Sequence, residues 1–581
     1  MIETKNQTEK KTESTPLTKE NISGSEAVIL SLLAENVDTI FGYPGGAIMP
    51  IYDALYSYAD EIKHILVRHE QGAVHAAQGL ARVTGKAGVV FATSGPGATN
   101  LVTGIADAMI DSTPLVCITG QVASHLLGTD AFQEIDVMNI TVPVTKWNVQ
   151  VTRAEDIAKT LAKAFYIAES GRPGPVVVDI TKDAQIAKTD FNYEKCTEVR
   201  TYHPVPEIDI TKIEDAALLI NAAKKPYILA GQGITLSGAT KELIAFAEKG
   251  NIPVACTLLG LSGFPTDHPL YVGYLGMHGN YGPNVNTNEC DLLIGVGMRF
   301  DDRVTGDVNR YAKQAKIIHI DIDKAELNKI IQTDVAINAN AKEALQLLTG
   351  QIKNAEHSEW IESFNTFRKI EHEKIISKDC ENDKNEVKMA EVIYQLNKIT
   401  KGNAIVVTDV GQHQMVASRY FDFKNPRSNV TSGGAGTMGF ALPAAMGAKA
   451  GKPAEQVIAI IGDGGFQMTL QELGTISQYN LAVKIVVLNN EFLGMVRQWQ
   501  QLFFERRYSF TEMVNPDFIK ISEAYGIKAK KVVERNDLVP ALQEMLDHDG
   551  PYFLEVKVEK EDNVFPMIAT GASVSEIKLE A

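Results

Sequence analysis

The amino-acid sequence predicts an α/β protein made of three doubly wound, parallel-sheet domains. Short runs of β-branched residues recur along the chain, and such runs are typical of strands buried on both faces of a parallel sheet. Amphipathic helical stretches alternate with these runs, as they do in βαβ units. At 581 residues the chain is too long for a single hydrophobic core, so about three or four domains are expected.

Composition and charge narrow the class of protein. The chain has 56 Lys and Arg against 72 Asp and Glu, and this net charge of -16 argues against nucleic acid or an acidic membrane surface as the main partner. Five scattered cysteines without a CxxC pair are typical of reduced thiols in a cytosol and indicate neither disulfides nor zinc. No apolar run reaches the ~20 residues of a membrane span, so we expect a cytoplasmic protein without a membrane partner.

Changes in composition divide the chain into seven expected segments. They are a disordered tail (1–20), a first α/β domain (21–183), a linker (184–207), a second α/β domain (208–350), a charged helix and linker (351–386), a third α/β domain (387–562) and a C-terminal tail (563–581). The charge run in the fifth segment is typical of a solvated face. The first and third domains are expected to be similarly built.

Residues 457–490, VIAIIGDGGFQMTLQELGTISQYNLAVKIVVLNN, predict a strand, a helix and a second strand followed by two amides. Gly464 and Gly465 let backbone amides approach a ligand at a helix N-terminus, which favours anions. Asp463 stands beside these glycines and Asn490 follows the second strand. Both are therefore expected at the carboxyl edge of adjacent strands, where their oxygens can bind Mg²⁺. A generic Rossmann-type turn with an asparagine-rich loop is the alternative.

Two stretches of the first domain carry candidate ligand-binding residues. In FGYPGG, residues 41–46, a turn can bring the backbone close to a bound ring, although a plain tight turn explains the motif equally well. In RHEQGA, residues 68–73, Glu70 begins a helix expected over residues 70–83, directly after a strand. An acid at this position also complements the helix dipole, so the residues alone leave its role open.

The strands of the second domain end in small or polar turns, at Gly231, Thr257, Gly297 and Asp321. Turns of this kind suit a dinucleotide laid across the strand ends. No complete GxGxxG motif is present, so composition alone leaves this use open.

Nine motifs together resemble a known enzyme family. They are FGYPGG, RHEQGA, GTDAFQE, GRPGPV, MHG, RFDDRVTG, SGGAGTMG, GDGGFQM and LNNEFLGMVRQWQ. Through them the chain resembles, over nearly its whole length, the FAD-containing biosynthetic catalytic subunits of the acetohydroxyacid (acetolactate) synthases, which are thiamine diphosphate enzymes. RFDDRVTG and GMVRQWQ are the motifs that distinguish this family from other thiamine enzymes.

The resemblance implies that the three domains bind, in chain order, the aminopyrimidine of thiamine diphosphate, FAD, and the diphosphate with Mg²⁺. It implies that pyruvate is decarboxylated on thiamine diphosphate and that the hydroxyethyl carbanion is ligated to a second 2-keto acid. With pyruvate as the second substrate the product would be acetolactate, and with 2-ketobutyrate it would be acetohydroxybutyrate. Both products stand at the start of valine, leucine and isoleucine biosynthesis. The pyrimidine and diphosphate sites would come from different subunits, which implies a homodimer or homotetramer, and a small regulatory subunit is allowed.

The resemblance also assigns roles in the reaction. Glu70 would hydrogen-bond N1′ of the aminopyrimidine and so promote removal of the C2 proton. Arg303 would bind the carboxylate of the second substrate, unless it only forms a surface ion pair. Trp499 would favour the ethyl group of 2-ketobutyrate, unless it is an ordinary packing aromatic. The other expected reaction-pocket residues are Gly46, Phe132, Gln133, Lys182 and Met495.

The cofactor-binding residues follow from the same resemblance. Along thiamine diphosphate these are Val410, Gly411, Gln412, His413, Gly436, Met438, Gly464 and Gly465. Met438 would brace the bent cofactor, unless it serves only core packing. Mg²⁺ would be held by Asp463, Asn490 and the backbone carbonyl of Phe492. For FAD the expected residues are Arg172, Gly231, Gln232, Gly233, Thr257, Leu258, Met277, His278, Arg299, Asp301, Asp321 and Ile322.

The chain departs from the family pattern at a few positions. Ala339 and Asn340 stand where a Gly-Asp pair is common, so the side chain keeps its hydrogen-bonding capacity but loses its charge at one expected flavin contact. Ala123 replaces a proline near the access channel, and Gly465 replaces a serine or alanine.

Three alternative functions remain. They are a flavin-dependent pyruvate oxidase, a flavin-free catabolic acetolactate synthase, and a non-catalytic relative that keeps the fold as a binding or regulatory subunit. RFDDRVTG argues against the first two. The presence of Glu70, Asp463 and Asn490 argues against the third.

Overall fold

A computed structural model describes residues 17–380 and 386–580 of the chain. These residues form three α/β domains, each built on a six-stranded parallel sheet, which confirms the predicted fold class. Residues 1–16 of the expected disordered tail, residues 381–385 of the charged segment and residue 581 lie outside the described ranges. No helix among the described residues is both long and apolar enough to cross a membrane.

The first domain contains eight strands. They are β1 (Leu17–Ser23), β2 (Thr39–Gly42), β3 (Lys63–Leu66), β4 (Gly88–Ala92), β5 (Leu115–Gln121), β6 (Trp147–Val151), β7 (Pro175–Thr181) and β8 (Lys188–Tyr193). Its helices are α1 (Gly24–Ala34), α2 (Met49–Tyr56), α3 (Glu70–Thr84), α4 (Pro96–Thr99), α5 (Val102–Ile110), α6 (Val137–Thr141), α7 (Ile157–Glu169) and α8 (Lys182–Ile186). The parallel sheet has the order β3-β2-β4-β5-β7-β6.

Strands β1 and β8 correct two expected segments. The sequence suggests a disordered tail up to residue 20 and a linker over residues 184–207, but β1 and β8 pair as an antiparallel two-stranded sheet. Each strand satisfies backbone hydrogen bonds of the other, which neither segment could do alone. Leu17 pairs with Tyr193 and Ser23 with Lys188, so residues far apart in the chain define this element.

The central domain has the strand order of a dinucleotide-binding sheet. Its strands are β9 (Pro226–Ala230), β10 (Val254–Cys256), β11 (Tyr271–Tyr274), β12 (Leu292–Val296), β13 (Lys316–Asp321) and β14 (Val335–Asn338), ordered β11-β10-β9-β12-β13-β14. Its helices are α9 (Ile210–Ala222), α10 (Gly233–Ser237), α11 (Thr240–Gly250), α12 (Tyr281–Thr287), α13 (Asp302–Thr305) and α14 (Ala341–Gln351). The order reverses between β9 and β12, and ligands bind at such a crevice.

The third domain repeats the topology of the first. Its strands are β15 (Ile405–Thr408), β16 (Asn429–Thr431), β17 (Val457–Gly462), β18 (Val483–Asn489), β19 (Lys528–Val532) and β20 (Tyr552–Lys557), ordered β16-β15-β17-β18-β20-β19. Its helices are α17 (Met389–Thr400), α18 (Gln412–Tyr420), α19 (Ala441–Gly451), α20 (Asp463–Thr469), α21 (Leu473–Gln478), α22 (Gly494–Phe503), α23 (Phe518–Ala524) and α24 (Leu538–Asp547). The sequence predicts a single helix between β17 and β18, but the structure has two, α20 and α21, which are joined by a 3₁₀ turn.

The charged segment and the C-terminal tail both pack against the central domain. Helix α15 (Ser358–Glu371) continues through a π-helical turn into α16 (Ser377–Cys380). The expected solvated face is only one side of α15, because Trp360, Phe364 and Glu371 are buried. In the tail, Val574 and Ile577 join the same apolar cluster as Phe364.

Helices α3 and α19 bind the first domain to the third. A Cβ atom added to Gly79 would lie 1.9 Å from the carbonyl oxygen of Ala444, and one added to Gly447 would lie 1.7 Å from that of Ala76. Only glycine permits so close an approach of two backbones. The contact fixes helix α3, which begins with Glu70, against the third domain of the same chain.

Candidate active site

A cavity of ≈ 1070 Å³ lies where the three domains meet. Most residues expected at a flavin line it, namely Arg172, Gln232, Gly233, Thr257, Leu258, Met277, His278, Arg299, Asp301, Asp321 and Ile322. All but Arg172 come from the central domain, and several directly follow the strands β9, β10, β12 and β13. The carboxyl edge of this sheet therefore forms one long wall of the cavity.

Glycines shape the crevice at the reversal of strand order. A Cβ added to Gly231, after β9, would lie 2.1 Å from the carbonyl oxygen of Gly297, after β12. One added to Gly233 would lie 2.6 Å from the Cα of Gly297, which itself has a φ of +59°. The two strand ends thus touch backbone to backbone, and Gly231 lies behind the cavity wall rather than on it. Glycine at these positions lets the two strand ends pack closely at the crevice where sheets of this topology bind ligands.

Charged groups surround one end of the cavity. The guanidinium of Arg172, from the first domain, donates to Asp323 at 3.1 Å and to Glu326 at 2.8 Å. Burial raises the pKa of Asp321 to about 6. Asn340, where the family pattern has an acid, uses its side-chain oxygen to cap helix α14 through the amide of Lys342 at 2.9 Å. Its amide oxygen is thus already occupied in the fold.

His278 gives a further indication that the cavity receives a polar ligand. Its side chain is 6% exposed, and its Nδ1 atom has no hydrogen-bond partner within the described ranges. Burial lowers the pKa of this imidazole to about 3, so the ring is neutral and Nδ1 can accept or donate according to its tautomer. A buried polar atom without a partner is costly, and a bound ligand would satisfy it.

The third domain supplies the opposite wall of the same cavity. The lining residues there that were expected at thiamine diphosphate or substrate are Val410, Gly411, Gly436, Met438, Met495 and Trp499. Met438 is only partly buried and faces the cavity, which favours a ligand contact over core packing. Trp499 packs on Phe503 with ring centroids 4.8 Å apart. This position is compatible with Trp499 as a wall for the second substrate and also with Trp499 as an ordinary packing aromatic.

Arg303 also lines the cavity, together with the residues expected at the flavin and those expected at thiamine diphosphate. Its side chain is 62% exposed and pairs with Asp302 at 3.6 Å, so the simple ion-pair interpretation has a structural basis. An exposed pair of this length contributes little to stability. The guanidinium therefore stays available to a carboxylate that enters the cavity.

The residues expected to bind Mg²⁺ lie at the carboxyl edge of the third sheet. Gly462, the last residue of β17, pairs with Leu488 of β18, so Asp463 and Asn490 follow neighbouring strands. Asp463 is 1% exposed, and burial raises its pKa to about 6. The Asn490 side-chain oxygen accepts the amide of Phe492 at 3.2 Å. A carboxylate, an amide oxygen and the Phe492 carbonyl are the ligand types that Mg²⁺ prefers.

The part of the chain that the structure describes contains no metal cluster built from acids, histidines and cysteines. Within residues 17–380 and 386–580, no group of three or more His, Cys, Asp or Glu is arranged to hold a metal ion. The set at Asp463 contains a single carboxylate and depends on amide and backbone oxygens. It is therefore suited to a metal that keeps part of its shell for the phosphates of a substrate or cofactor.

Four other residues expected at thiamine diphosphate lie behind the cavity surface. The ring of His413 is 2.8 Å from where a Cβ of Gly462 would stand, and burial lowers its pKa to about 3. Gln412 donates to Gln498 at 2.9 Å. Gly465 packs against the carboxylate of Asp409, and a Cβ there would lie 2.4 Å from Oδ1. The fourth residue, Gly464, packs against Leu493 and near the methyl group of Met438.

The reaction-pocket residues of the first domain form a separate group at the carboxyl edge of its own sheet. Glu70 follows β3 and is 9% exposed, and its Oε2 accepts from the amide of Asn100 at 2.9 Å. Gly46 and Lys182 follow β2 and β7 and are exposed, as is Phe132 at 89%. The fifth member, Gln133, has a φ of +62°. None of the five lines the large cavity of the same chain.

Two aspartates that sequence reasoning missed hold the loop that carries Gly436 and Met438. Asp107 accepts the hydroxyl groups of Ser432 and Thr437, and Asp111 accepts the amides of Gly433 at 2.8 Å and Gly434 at 2.7 Å. Both acids belong to the α5 region of the first domain and are fully buried. Their spacing of four residues on an apolar helix was the available signal, but it did not reveal a partner in the third domain.

Comparisons with known proteins agree with this division of the chain. Profiles of thiamine pyrophosphate enzymes match three segments, the N-terminal TPP binding domain at residues 22–140, the central domain at 213–348 and the C-terminal TPP binding domain at 409–556. The matches fall on the three sheets in chain order.

Full-length relatives carry the same name in distant organisms. The chain is 48% identical over 571 residues to the acetolactate synthase large subunit of Corynebacterium glutamicum, covering 96% of this chain and 90% of that protein. It is 44% identical over 560 residues to the acetolactate synthase isozyme 2 large subunit of Escherichia coli, covering 96% and 99%. It is 45% identical over 567 residues to a probable acetolactate synthase large subunit of Methanocaldococcus jannaschii, covering 96% and 95%. The chain therefore belongs to the acetolactate synthase large subunits, a family of thiamine pyrophosphate enzymes.

Proposed function

We propose that this chain decarboxylates pyruvate and joins the remaining two-carbon unit to a second 2-keto acid. Pyruvate as acceptor yields acetolactate, and 2-ketobutyrate yields acetohydroxybutyrate, the precursors of valine, leucine and isoleucine. The observation that carries the proposal is the single cavity that joins Met438 of the third domain, Trp499 and Arg303 to the crevice between β9 and β12. Such a cavity can hold a thiamine cofactor, a keto acid and a dinucleotide side by side.

Thiamine diphosphate, when bound, supplies the carbanion chemistry that both steps require. The oxygens of Asp463 and Asn490 and the carbonyl of Phe492 would hold the Mg²⁺ of the diphosphate, at the edge where β17 and β18 end. Met438, which lines the cavity, would contact the cofactor. FAD would bind along the carboxyl edge of the central sheet, where His278 offers an unsatisfied nitrogen.

When thiamine diphosphate is bound, the Glu70 carboxyl group would share a proton with a ring nitrogen of its aminopyrimidine. Its carboxylate is buried and is oriented by the amide of Asn100, so it can hold a hydrogen bond to a ring nitrogen in a site with little water. Because Glu70 does not line the cavity of its own chain, we infer that a second copy brings this group to the cofactor.

Exposed apolar residues support a homodimer. Phe132 of the first-domain group is 89% exposed, and Phe510 and Val514, which follow the expected metal-binding loop in the chain, are each 98% exposed. Large apolar side chains exposed together mark surfaces that another protein covers. A two-fold axis would bring the first-domain edge of each subunit to the cavity of the other, giving two equivalent sites, and two such dimers would form a tetramer. Because the relatives are named large subunits, we also propose a small regulatory subunit as a partner.

Arg303 and Trp499 select the second substrate. The exposed guanidinium of Arg303 offers paired hydrogen bonds to a carboxylate, and the indole of Trp499 offers an apolar wall to the side chain of the keto acid. An extra methylene against such a wall is worth about 1–3 kcal/mol, which favours 2-ketobutyrate over pyruvate as acceptor.

Product analysis tests the proposal. The purified protein is incubated with pyruvate, thiamine diphosphate, Mg²⁺ and FAD while the flavin absorbance and oxygen are followed. Acetolactate with an unreduced flavin is the expected result, because carboligation transfers no net electrons. Acetate or acetyl phosphate with oxygen consumption would identify an oxidase instead, and no turnover at all would identify a non-catalytic relative.

A further inference from the structure

Asn489, the last residue of β18, and the adjacent Asn490 point to opposite sides and have different partners. Asn490 donates to Gln412 at 3.4 Å. Asn489 is 3% exposed and donates from Nδ2 to Glu555 Oε1 of the neighbouring strand β20 at 2.7 Å. Alternation of side chains along an extended backbone explains the divergence. Asn489 therefore cannot bind the same metal ion as Asn490, and its burial and polarity have another explanation.

The polarity of the Asn489 side chain is set by its partner. A carboxylate only accepts hydrogen bonds, so Glu555 obliges Asn489 to present its amide nitrogen there and its oxygen Oδ1 on the other side. That oxygen accepts from the side-chain amide of Asn515 at 3.0 Å. Glu555 is itself 2% exposed and is paired with Lys531 at 2.9 Å.

The same amide group of Asn515 reaches the proposed metal ligand. Asn515 Nδ2 donates to Asp463 Oδ2 at 2.6 Å, while Asn515 Oδ1 accepts from Gln467 at 2.9 Å. The four side chains thus form a row with a carboxylate at each end. The two carboxylates and the Gln467 donor together allow only one orientation of the side-chain amides of Asn489 and Asn515. The row Glu555, Asn489, Asn515, Asp463 therefore fixes the rotation of the Asp463 carboxylate.

We propose that Asn489 and Asn515 are positioning residues that orient Asp463 for Mg²⁺. This inference rests on the proposed function, since it requires the metal at Asp463. Residues that hold a metal ligand from behind typically change metal affinity by about 10–100-fold when they are removed. The first asparagine of the pair thus orients the metal site, whereas the second supplies an oxygen to it.

Asn515 also makes the metal site depend on a surface segment. Its neighbour Val514 is 98% exposed, and the segment is attached where Met513 donates its amide to Glu491 at 2.9 Å. A bridge between Phe492 and Glu512 extends this attachment. This attachment places Asn515 where its side chain donates to Asp463.

The test measures Mn²⁺ binding by the loss of the free-ion EPR signal, with full-length protein saturated with thiamine diphosphate and FAD. Asn515→Ala is expected to weaken Mn²⁺ binding about 10–100-fold. Excess Mn²⁺ should restore full cofactor binding, because the ligands themselves remain. Asn397→Ala is the matched control: Asn397 is also half-buried in the third domain and also donates to an aspartate, Asp422, at 2.9 Å.

Mn²⁺ affinity of Asn515→Ala equal to that of the wild type would overturn the inference, as would an equal loss in Asn397→Ala. Asn489→Ala provides a second variant, expected to weaken Mn²⁺ binding in the same direction. Thermal unfolding of each variant confirms that the fold is intact. Failure of the wild type itself to bind Mn²⁺ with thiamine diphosphate would contradict the proposed metal site rather than this role of Asn515.

Discussion

The carboxylate of Glu371 and the guanidinium of Arg419 form an ion pair of 2.9 Å in which both side chains are no more than 2% exposed. The pair joins the connecting helix α15 to helix α18 of the third domain. Arg419 also donates to the carbonyl of His278, and Glu371 accepts from Asn280 at 2.9 Å. One buried pair therefore holds a cavity-lining loop of the central domain against the third domain.

Replacing one partner of this pair should destabilise the protein strongly. Arg419→Met leaves the Glu371 carboxylate buried without its counter-ion, which typically costs about 3–5 kcal/mol. The change is measured as the shift of the urea unfolding transition. Lys369→Met removes one partner of a pair with Glu362 whose side chains are 73% and 59% exposed, and should cost about 0–1 kcal/mol. Similar shifts in the two variants would contradict the role given to the buried pair.

Trp499→Leu should reduce the preference for 2-ketobutyrate while leaving decarboxylation of pyruvate nearly unchanged. The indole acts as an apolar wall, and one methylene against such a wall changes selectivity by roughly 10–200-fold. Arg303→Lys serves as the contrasting variant, expected to raise the concentration required of both acceptors because lysine cannot make paired hydrogen bonds. Competition between the two keto acids gives the product ratio. An unchanged ratio in Trp499→Leu would remove that residue from the acceptor site.

Glu70→Ala should bind thiamine diphosphate but activate it poorly. General acid–base contributions are roughly 10²–10⁴-fold, so deuterium exchange at C2 of the bound cofactor should slow by a factor in this range. NMR follows the exchange. Glu155→Ala, an exposed acid of the same domain paired with Arg153, is the control and should exchange at the wild-type rate. Wild-type exchange in Glu70→Ala would leave Glu70 as a helix-dipole residue only.

Glu472 should make stability depend on pH near neutrality. Burial raises the pKa of this carboxyl from 4.5 to about 7, although it accepts the amides of Arg68 and His69. The folded state holds the Glu472 proton more tightly than the unfolded state does. The protonated carboxyl therefore contributes fully to the stability of the fold below about pH 4.5, and this stability is lost as the pH rises through about 7. Glu472→Gln should show a smaller loss of stability between these values in thermal unfolding. A slope equal to that of the wild type would contradict this assignment.

Elements defined by local pattern were predictable from sequence. The β-branched run after residue 456 and the glycines that follow it indicate strand β17 and a ligand site, and the spacing to Asn490 correctly implies neighbouring strands. Of the strand ends noted in the sequence, Thr257, Gly297 and Asp321 line the cavity, whereas Gly231 lies behind its wall. In each case the signal lies within a few residues of the site, because strand ends in a parallel sheet share one edge.

Contacts between distant segments were not predictable in this way. Asp107 accepts a hydrogen bond from Ser432, which lies 325 positions away in the chain. Two acids on an apolar helix do not indicate which distant residue they contact. Asn515 lies in a segment without periodicity, so its approach to Asp463 required the folded chain. Strand β1 was missed because its partner β8 is supplied by an expected linker. Such pairings depend on how complete domains pack, whereas periodicity reports only local structure.

The central claim is that each active site joins the first-domain group of one subunit to the cavity of another, and mixing two inactive variants tests it directly. Glu70→Ala and Asp463→Ala are each expected to be inactive alone. When they are unfolded together and refolded as mixed dimers, one site in each heterodimer has both residues intact, so acetolactate formation should recover to roughly a quarter of the wild-type rate. If both residues served the same chain's site, every site in the mixture would lack one of them. Absence of recovered activity in confirmed heterodimers would contradict the account.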